Sequence, residues 1–150
     1  CSNGILVDEQ CRTSVANIYA AGDCTNHPNF YLNRRLRLES APNATDQAKV
    51  AAVNMLGEEK RYRSVPWFWS DQFSSKLQAV GFSADGSHSV CRGSHEEHEF
   101  ANFYLHENRL VAVEAINFPR AFMVGKRLYG TEVNAEKLAD SSVDLKSLLV

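Results

Sequence analysis

The sequence predicts an α+β fold in which a smaller strand-and-helix segment, residues 1 to 63, precedes a larger unit, residues 64 to 150, built as an antiparallel sheet with helices on one face. Three observations carry this prediction. Strand-type segments rich in aromatic and β-branched residues follow one another from 65 to 116, and helical patterns come only after them, which is the order of an α+β unit. Residues 110 to 116 alternate, with Val111, Val113 and Ala115 on one face, and with 99 to 105 they flank Glu107-Asn108 as a hairpin. A run of alanines at helical spacing separates the two regions.

Taken in order, residues 4 to 7 and 17 to 21 read as two short strands joined by a polar turn, 8 to 14, as a hairpin or a pair within a larger sheet. The second strand stops on Gly22-Asp23. A residue without Cβ lets a bulky ligand approach the backbone, and the carboxylate after it offers two acceptor oxygens to the hydroxyls of a sugar or sugar alcohol. The same pair is also an ordinary exit from a sheet, and on the residues alone Asp23 is more often a turn residue than a ligand. Residues 24 to 40 read as irregular, with Asn26-His27-Pro28-Asn29 as turn chemistry and Arg34, Arg35 and Arg37 as a solvated or salt-bridged face. From 42 to 56, Ala44, Ala48, Ala51, Ala52 and Met55 mark one face of a helix. Ser40 is its expected N-cap, Pro42 fits the first turn, and Gly57 supplies the stop. An alanine face allows close approach to a sheet, the commoner case, or to a flat cofactor.

Composition shifts at Glu58-Glu59-Lys60-Arg61, and the domain boundary is set after residue 63. Residues 65 to 73 form a Trp/Phe-rich segment, 76 to 80 alternate and end at Gly81, and 87 to 92 make another short strand. Asn117 and Pro119 read as the cap and first turn of a helix carrying Phe122, Met123 and Leu128. A second helix is expected from 134 to 138, and a tail from 141 that is helical or loosely docked.

With 44% apolar and 23% charged residues and a formal charge of -2, the composition is ordinary for a soluble globular domain. It lacks the positive field of a nucleic-acid reader, and no apolar run approaches the length of a membrane span. Cys1, Cys11, Cys24 and Cys91 contain no C-x-x-C pair, so reduced thiols in a cytoplasmic protein are expected. The chain opens on Cys1 with no initiating Met and no export signal, and is expected to belong to something longer. Cys91, His95 and His98 form C-x3-H-x2-H, but Gly93, Ser94, Glu96 and Glu97 mark an exposed loop with no fourth ligand, so no metal site is expected. His88 and His106 are expected at the surface.

Residues 5 to 23, then Arg37-Leu38-Glu39-Ser40-Ala41-Pro42-Asn43-Ala44, then Pro66-Trp67-Phe68-Trp69-Ser70-Asp71-Gln72, in this order and spacing, resemble the C-terminal part of the flavin-dependent ferredoxin reductases of bacterial oxygenase systems. The resemblance spans essentially the whole chain. It implies the end of an FAD-binding α/β domain over residues 1 to 63 and the reductase C-terminal α+β domain over 64 to 150. It also implies FAD as prosthetic group, NADH or NADPH as co-substrate, and a small 2Fe-2S ferredoxin as electron acceptor. Residue by residue, the resemblance puts Asp23 on the ribitol chain of FAD, with Gly22 allowing the approach. The main chain of Ser40 and Ala41 meets the pyrimidine edge of the flavin, and Trp69 shields its ring. A helix start suits that edge, because unpaired N–H groups and the positive end of the dipole stabilise negative charge there. No acid, base or nucleophile of the chain is assigned a catalytic step.

No G-x-G-x-x-G occurs in the chain, so the segments that grip both pyrophosphates are expected elsewhere in a longer parent. Alone, the chain is expected to be inactive, and residues 1 to 63 to self-associate. The competing class is a non-enzymatic docking or dimerisation module in residues 64 to 150, and a related alternative replaces the ferredoxin by rubredoxin or a quinone.

Overall fold

The computed structural model describes residues 3–149, which divide into two compact units between Pro66 and Trp67. The first unit contains β1 (Ile5–Leu6), β2 (Thr25–Asn29), β3 (Arg34–Leu36) and α1 (Ala41–Met55). Strand β2 is central, parallel to β1 and antiparallel to β3. Residues 17 to 21, expected as a strand, contribute only one bridge, Arg12 to Tyr19, and Asn17 turns the chain at φ 64. The strand lies instead in the stretch expected to be irregular. Its inward positions are Thr25, His27 and Asn29, all buried, so it shows no apolar alternation although it alternates. Gly22-Asp23 therefore leads into a strand and does not end one.

Helix α1 has the expected ends. Ser40 is extended at φ -154 and ψ 143 and its side chain accepts from the Asn43 N–H, while Pro42 sits in the first turn. At the other end the N–H groups of Gly57 and Glu58 donate to the carbonyls of Asn54 and Val53. The expected alanine face is not the buried one. Ala48, Ala52 and Met55 are exposed, and the inward stripe is Asn43, Gln47, Val50, Ala51 and Asn54. The helix meets polar inward side chains of β2, so the Gln47 amide faces hydroxyl and imidazole partners. Asn54 binds the carbonyls of Gln10 (2.9 Å) and Lys60 (2.8 Å), and accepts from the Lys60 N–H at 2.7 Å. The apolar remainder is a small cluster of Cys11, Val50, Ala51 and Tyr62, flanked by Tyr19 and Ala21. Arg35 is exposed, as expected of a solvated face, but it is also held by hydrogen bonds. Its guanidinium reaches the Asn26 side chain and carbonyl and, at 2.8 Å, the Val7 carbonyl. Arg37 pairs with Glu39 as expected of a salt-bridged face.

The second unit is an antiparallel sheet with strand order β4-β5-β8-β7-β6, made of β4 (Trp67–Gln72), β5 (Ser75–Gly81), β6 (His88–Ser94), β7 (Glu99–His106) and β8 (Arg109–Ile116). The expected hairpin turns at Glu107 and Asn108, both at positive φ. Two helices follow, α2 (Pro119–Leu128) and α3 (Ala135–Ala139), on one face. Helix α2 rides close to the sheet because residue 125 is glycine; a Cβ there would stand 2.5 Å from Val113 Cγ2. Val80, Ala101, Phe103, Val113, Ala115 and Phe122 fill the core of this face. Asn117 is not the helix cap, a position taken by Phe118. At φ 51 it accepts from the Lys76 N–H (2.8 Å) and donates to the His98 carbonyl (3.0 Å), joining three segments. Among the described residues no helix is long and apolar enough to cross a membrane.

The tail is held firmly. Arg92, on β6 and facing the helices, is 6% exposed and donates to the carbonyls of Leu138 (3.3 Å), Asp140 (2.8 Å), Ser141 (3.3 Å) and Val143 (2.6 Å). Arg120 pairs with Asp144, and Leu145 is buried at the start of a 3-10 turn. Replacing Arg92 by Met is expected to lower stability by about 2–3 kcal/mol in urea unfolding, with faster amide exchange confined to residues after 138. Unchanged exchange there would show that the tail is held by apolar contacts alone.

Candidate functional site

The turn that carries Asp23 is built on the first half of α1. Gly22 is buried at φ 86, and a Cβ would lie 3.3 Å from that of Ala44. Its N–H donates to Gln47 Oε1 at 2.8 Å, and its carbonyl accepts from the N–H (3.0 Å) and hydroxyl (2.8 Å) of Thr25. Held this way, the turn presents Asp23 to solvent. Among the described residues its carboxylate has no hydrogen bond or ion pair. The chain entering α1 is fixed from the same helix face, because Asn43 Nδ2 donates to the Leu38 carbonyl at 2.7 Å. Ser40 Oγ and carbonyl are engaged on the N–H groups of Asn43 and Ala44, Ala41 is exposed, and the first turn holds no acidic residue. The positive end of this helix is thus not neutralised by its own side chains. Gly22, Asp23, Ser40 and Ala41 are brought to one end of one helix.

Trp69 belongs to the second unit, on β4, and is 43% exposed. Its ring lies 5.5 Å from that of Trp67, which in turn packs 5.6 Å from Phe122 and under Lys126 Nζ at 4.0 Å. Trp67 is the inner member of the pair and Trp69 the presented one. Cys91 Sγ stands 3.6 Å from His95 Nε2, whose ring stacks on Phe100, and His88 and His106 are exposed. Among the described residues no three His, Cys, Asp or Glu side chains converge as metal ligands do.

Beneath the Asp23 turn lies a polar network that the sequence reading missed. Gln47 is fully buried; its Oε1 accepts from Gly22 and, at 2.8 Å, faces the Thr25 hydroxyl, while its Nε2 contacts His27 Nδ1 (2.8 Å) and Asn43 Oδ1 (3.1 Å). Tyr62 donates to the same Asn43 oxygen at 3.0 Å and meets the His27 ring edge-on. The Gly22 N–H can only donate, so Oε1 must face it and Nε2 must donate to His27 Nδ1. The His27 proton then sits on Nε2, a buried atom with no partner among the described residues. Burial first, and the Arg35 charge second, lower the His27 pKa from 6.5 to about 4. Polar residues at period two over 25 to 29 and at helical spacing over 43 to 54 were the available signal.

The reductase C-terminal family model matches residues 67–149, and the pyridine nucleotide-disulphide oxidoreductase model matches residues 1–48. Rhodocoxin reductase of Rhodococcus erythropolis is 44% identical over 96% of this chain and 34% of its own length. The 5,5'-dehydrodivanillate O-demethylase ferredoxin reductase subunit of a Sphingobium species is 40% identical over 97% of this chain and 36% of its own length. The chain thus spans about a third of the relatives it matches. Among solved structures, the ferredoxin reductase for the CYP199A2 system from Rhodopseudomonas palustris superposes with a TM-score of 0.93 at 38% identity, covering 100% of this chain and 38% of that one. The covalent putidaredoxin reductase-putidaredoxin complex gives 0.87 at 35% identity, covering 99% and 36%.

The lowered His27 pKa fixes a pH dependence. Above pH 6.5 the ring is neutral in folded and unfolded chains alike. As pH falls, the unfolded ring takes a proton that the folded one refuses until about 4, so stability declines across that window. The loss is expected to reach about 3 kcal/mol in denaturant titrations, and His27→Gln is expected to flatten that slope. A wild-type profile already flat over the window would contradict the buried neutral ring.

Proposed function

This chain belongs to the reductase C-terminal family, and from that premise we propose that it is the C-terminal part of a cytoplasmic FAD-dependent NAD(P)H:ferredoxin reductase that delivers electrons to a 2Fe-2S ferredoxin of an oxygenase system. One observation carries the reading. A carboxylate with no partner among the described residues and a helix start with no acidic residue in its first turn lie at the same end of α1, on a turn and an entry segment fixed to that helix by buried amides. Acceptor oxygens for sugar-alcohol hydroxyls and a positive edge for an electron-rich heterocycle are the donor and acceptor set that an FAD requires.

When bound, FAD accepts hydride from the nicotinamide and releases electrons one at a time. The residues of this chain hold and orient it. Asp23 receives ribitol hydroxyls, and the buried Gly22 keeps the main chain close. Ser40 and Ala41 turn the start of α1 toward the pyrimidine edge, where the helix dipole favours negative charge. Trp69, braced by Trp67 and exposed on β4, is assigned to shielding the flavin ring on the resemblance alone. In this reading residues 1 to 63 finish the FAD-binding domain and 64 to 150 form the C-terminal domain. The relatives' names support a ferredoxin acceptor, and free Cys11, Cys24 and Cys91 support a reducing cytoplasmic setting. Leu6, Val15, Ile18 and Leu56 are exposed in the first unit, which supports self-association of the chain on its own.

In the longer reductase, Asp23→Ala is expected to weaken FAD binding by about 10–100-fold, and Trp69→Ala to shift the flavin absorption bands. The 150-residue chain alone, lacking any G-x-G-x-x-G, is expected to show no sub-micromolar FAD binding in isothermal titration. Tight binding by the isolated chain, or an Asp23→Ala reductase with unchanged affinity, would overturn the assignment.

A further inference from the structure

We propose that Gln47 is the positioning residue of the candidate site, a single buried amide that sets the Asp23 turn at a fixed place relative to the start of α1. Its purpose rests on the flavin reading above; its geometry does not. Gln47 lies on the inner face of α1 with no solvent exposure, so it touches no ligand directly. It acts through others. On one side its Oε1 takes the Gly22 N–H at 2.8 Å, fixing the residue before Asp23. On the other side its Nε2 donates to Asn43 Oδ1 at 3.1 Å, and Asn43 Nδ2 donates to the Leu38 carbonyl at 2.7 Å, fixing the segment that leads into Ser40 and Ala41.

The direction of this relay is not open to reversal. A rotated Gln47 amide would set its NH2 against the Gly22 N–H, donor against donor at 2.8 Å. A rotated Asn43 would set its NH2 against Gln47 Nε2 and its oxygen against the Leu38 carbonyl. Two amides four residues apart on one helix therefore join the two places assigned to the flavin, and each end of the relay is oriented by a main-chain group that has only one role. An apolar residue at position 47 would fill the volume and leave the buried Gly22 N–H without its partner, while the Thr25 hydroxyl would keep the Gly22 carbonyl and the Asn43 oxygen would keep Tyr62.

Two variants test this, Gln47→Leu and Gln47→Glu. In the 150-residue chain, amide exchange at Gly22 is expected to be about tenfold or more faster in Gln47→Leu, while the amides of Val113 and Ala115 in the second unit stay unchanged as a folding control. Gln47→Glu keeps the acceptor for Gly22 but loses the donor toward His27 and Asn43, with Tyr62 and the Arg35 charge as the other ionisable groups near that ring. One bound proton restores one of the two lost donors. Burial raises a carboxyl pKa, so Gly22 protection in this variant is expected to lie nearer wild type at about pH 5.5 than at about pH 8, a profile that loss of packing alone does not produce.

Unchanged Gly22 exchange in Gln47→Leu, or no pH dependence in Gln47→Glu, would overturn the proposal. In the longer reductase, Gln47→Leu is expected to weaken FAD binding about tenfold. If Gly22 loosens and FAD affinity does not move, the positioning stands and the flavin reading fails.

Discussion

A side-chain amide offers two donor hydrogens and an oxygen with two lone pairs; in Gln47 both hydrogens and one lone pair are engaged inside the first unit, and the Thr25 hydroxyl shares its single hydrogen between the other lone pair and the Gly22 carbonyl. The rest of that unit depends on this match. A buried amide left half satisfied costs more than an apolar residue in its place, so a helix that turns Asn43, Gln47 and Asn54 inward is stable only if its neighbours supply partners. Strand β2 supplies them by turning Thr25 and His27 to the same side, and the Gly22 turn supplies a main-chain N–H. The fold is thereby specified by complementarity of donors and acceptors more than by apolar area, since the buried apolar cluster here is only a few residues. Among the described residues, the one buried side-chain nitrogen or oxygen outside the match is His27 Nε2.

The two units solve the same problem by different means. In the second, a sheet with apolar residues on its helix-covered face and a close glycine contact at Gly125 builds an ordinary packed core. Polar chemistry enters it at one inward point, where the Arg92 guanidinium gathers the carbonyls of an otherwise irregular tail. A single planar donor fork suits that task, because its fixed geometry reaches several carbonyls without ordering each separately.

The legibility of the sequence followed this division. The sheet of the second unit, its hairpin at Glu107-Asn108 and its helices were readable because burial there is apolar and alternates with exposure. The ends of α1 were readable because Ser40, Pro42 and Gly57 act through the main chain. Strand β2 and the inner face of α1 were not, because hydrophobic periodicity is blind to a buried strand of Thr, His and Asn and to a helix whose buried stripe is mostly polar while Ala48 and Ala52 face outward. Arg92 and Asn117 were missed for a related reason: both work by holding carbonyls or amides distant in sequence. Gly22, Asp23, Ser40 and Ala41 were proposed through resemblance, and the structure gives a physical cause for their shared location that the resemblance did not contain.

The state of the His27 ring reports on the whole network, because its proton can sit on Nε2 only if Gln47 is oriented as described. Nitrogen-15 correlation spectra of that ring test this directly. A neutral ring with a bare Nδ1 and a protonated Nε2, persisting from neutral pH down toward the lowered pKa of about 4, is the expected result. A ring carrying its proton on Nδ1, or one that titrates near 6.5 as in an open chain, would contradict the account.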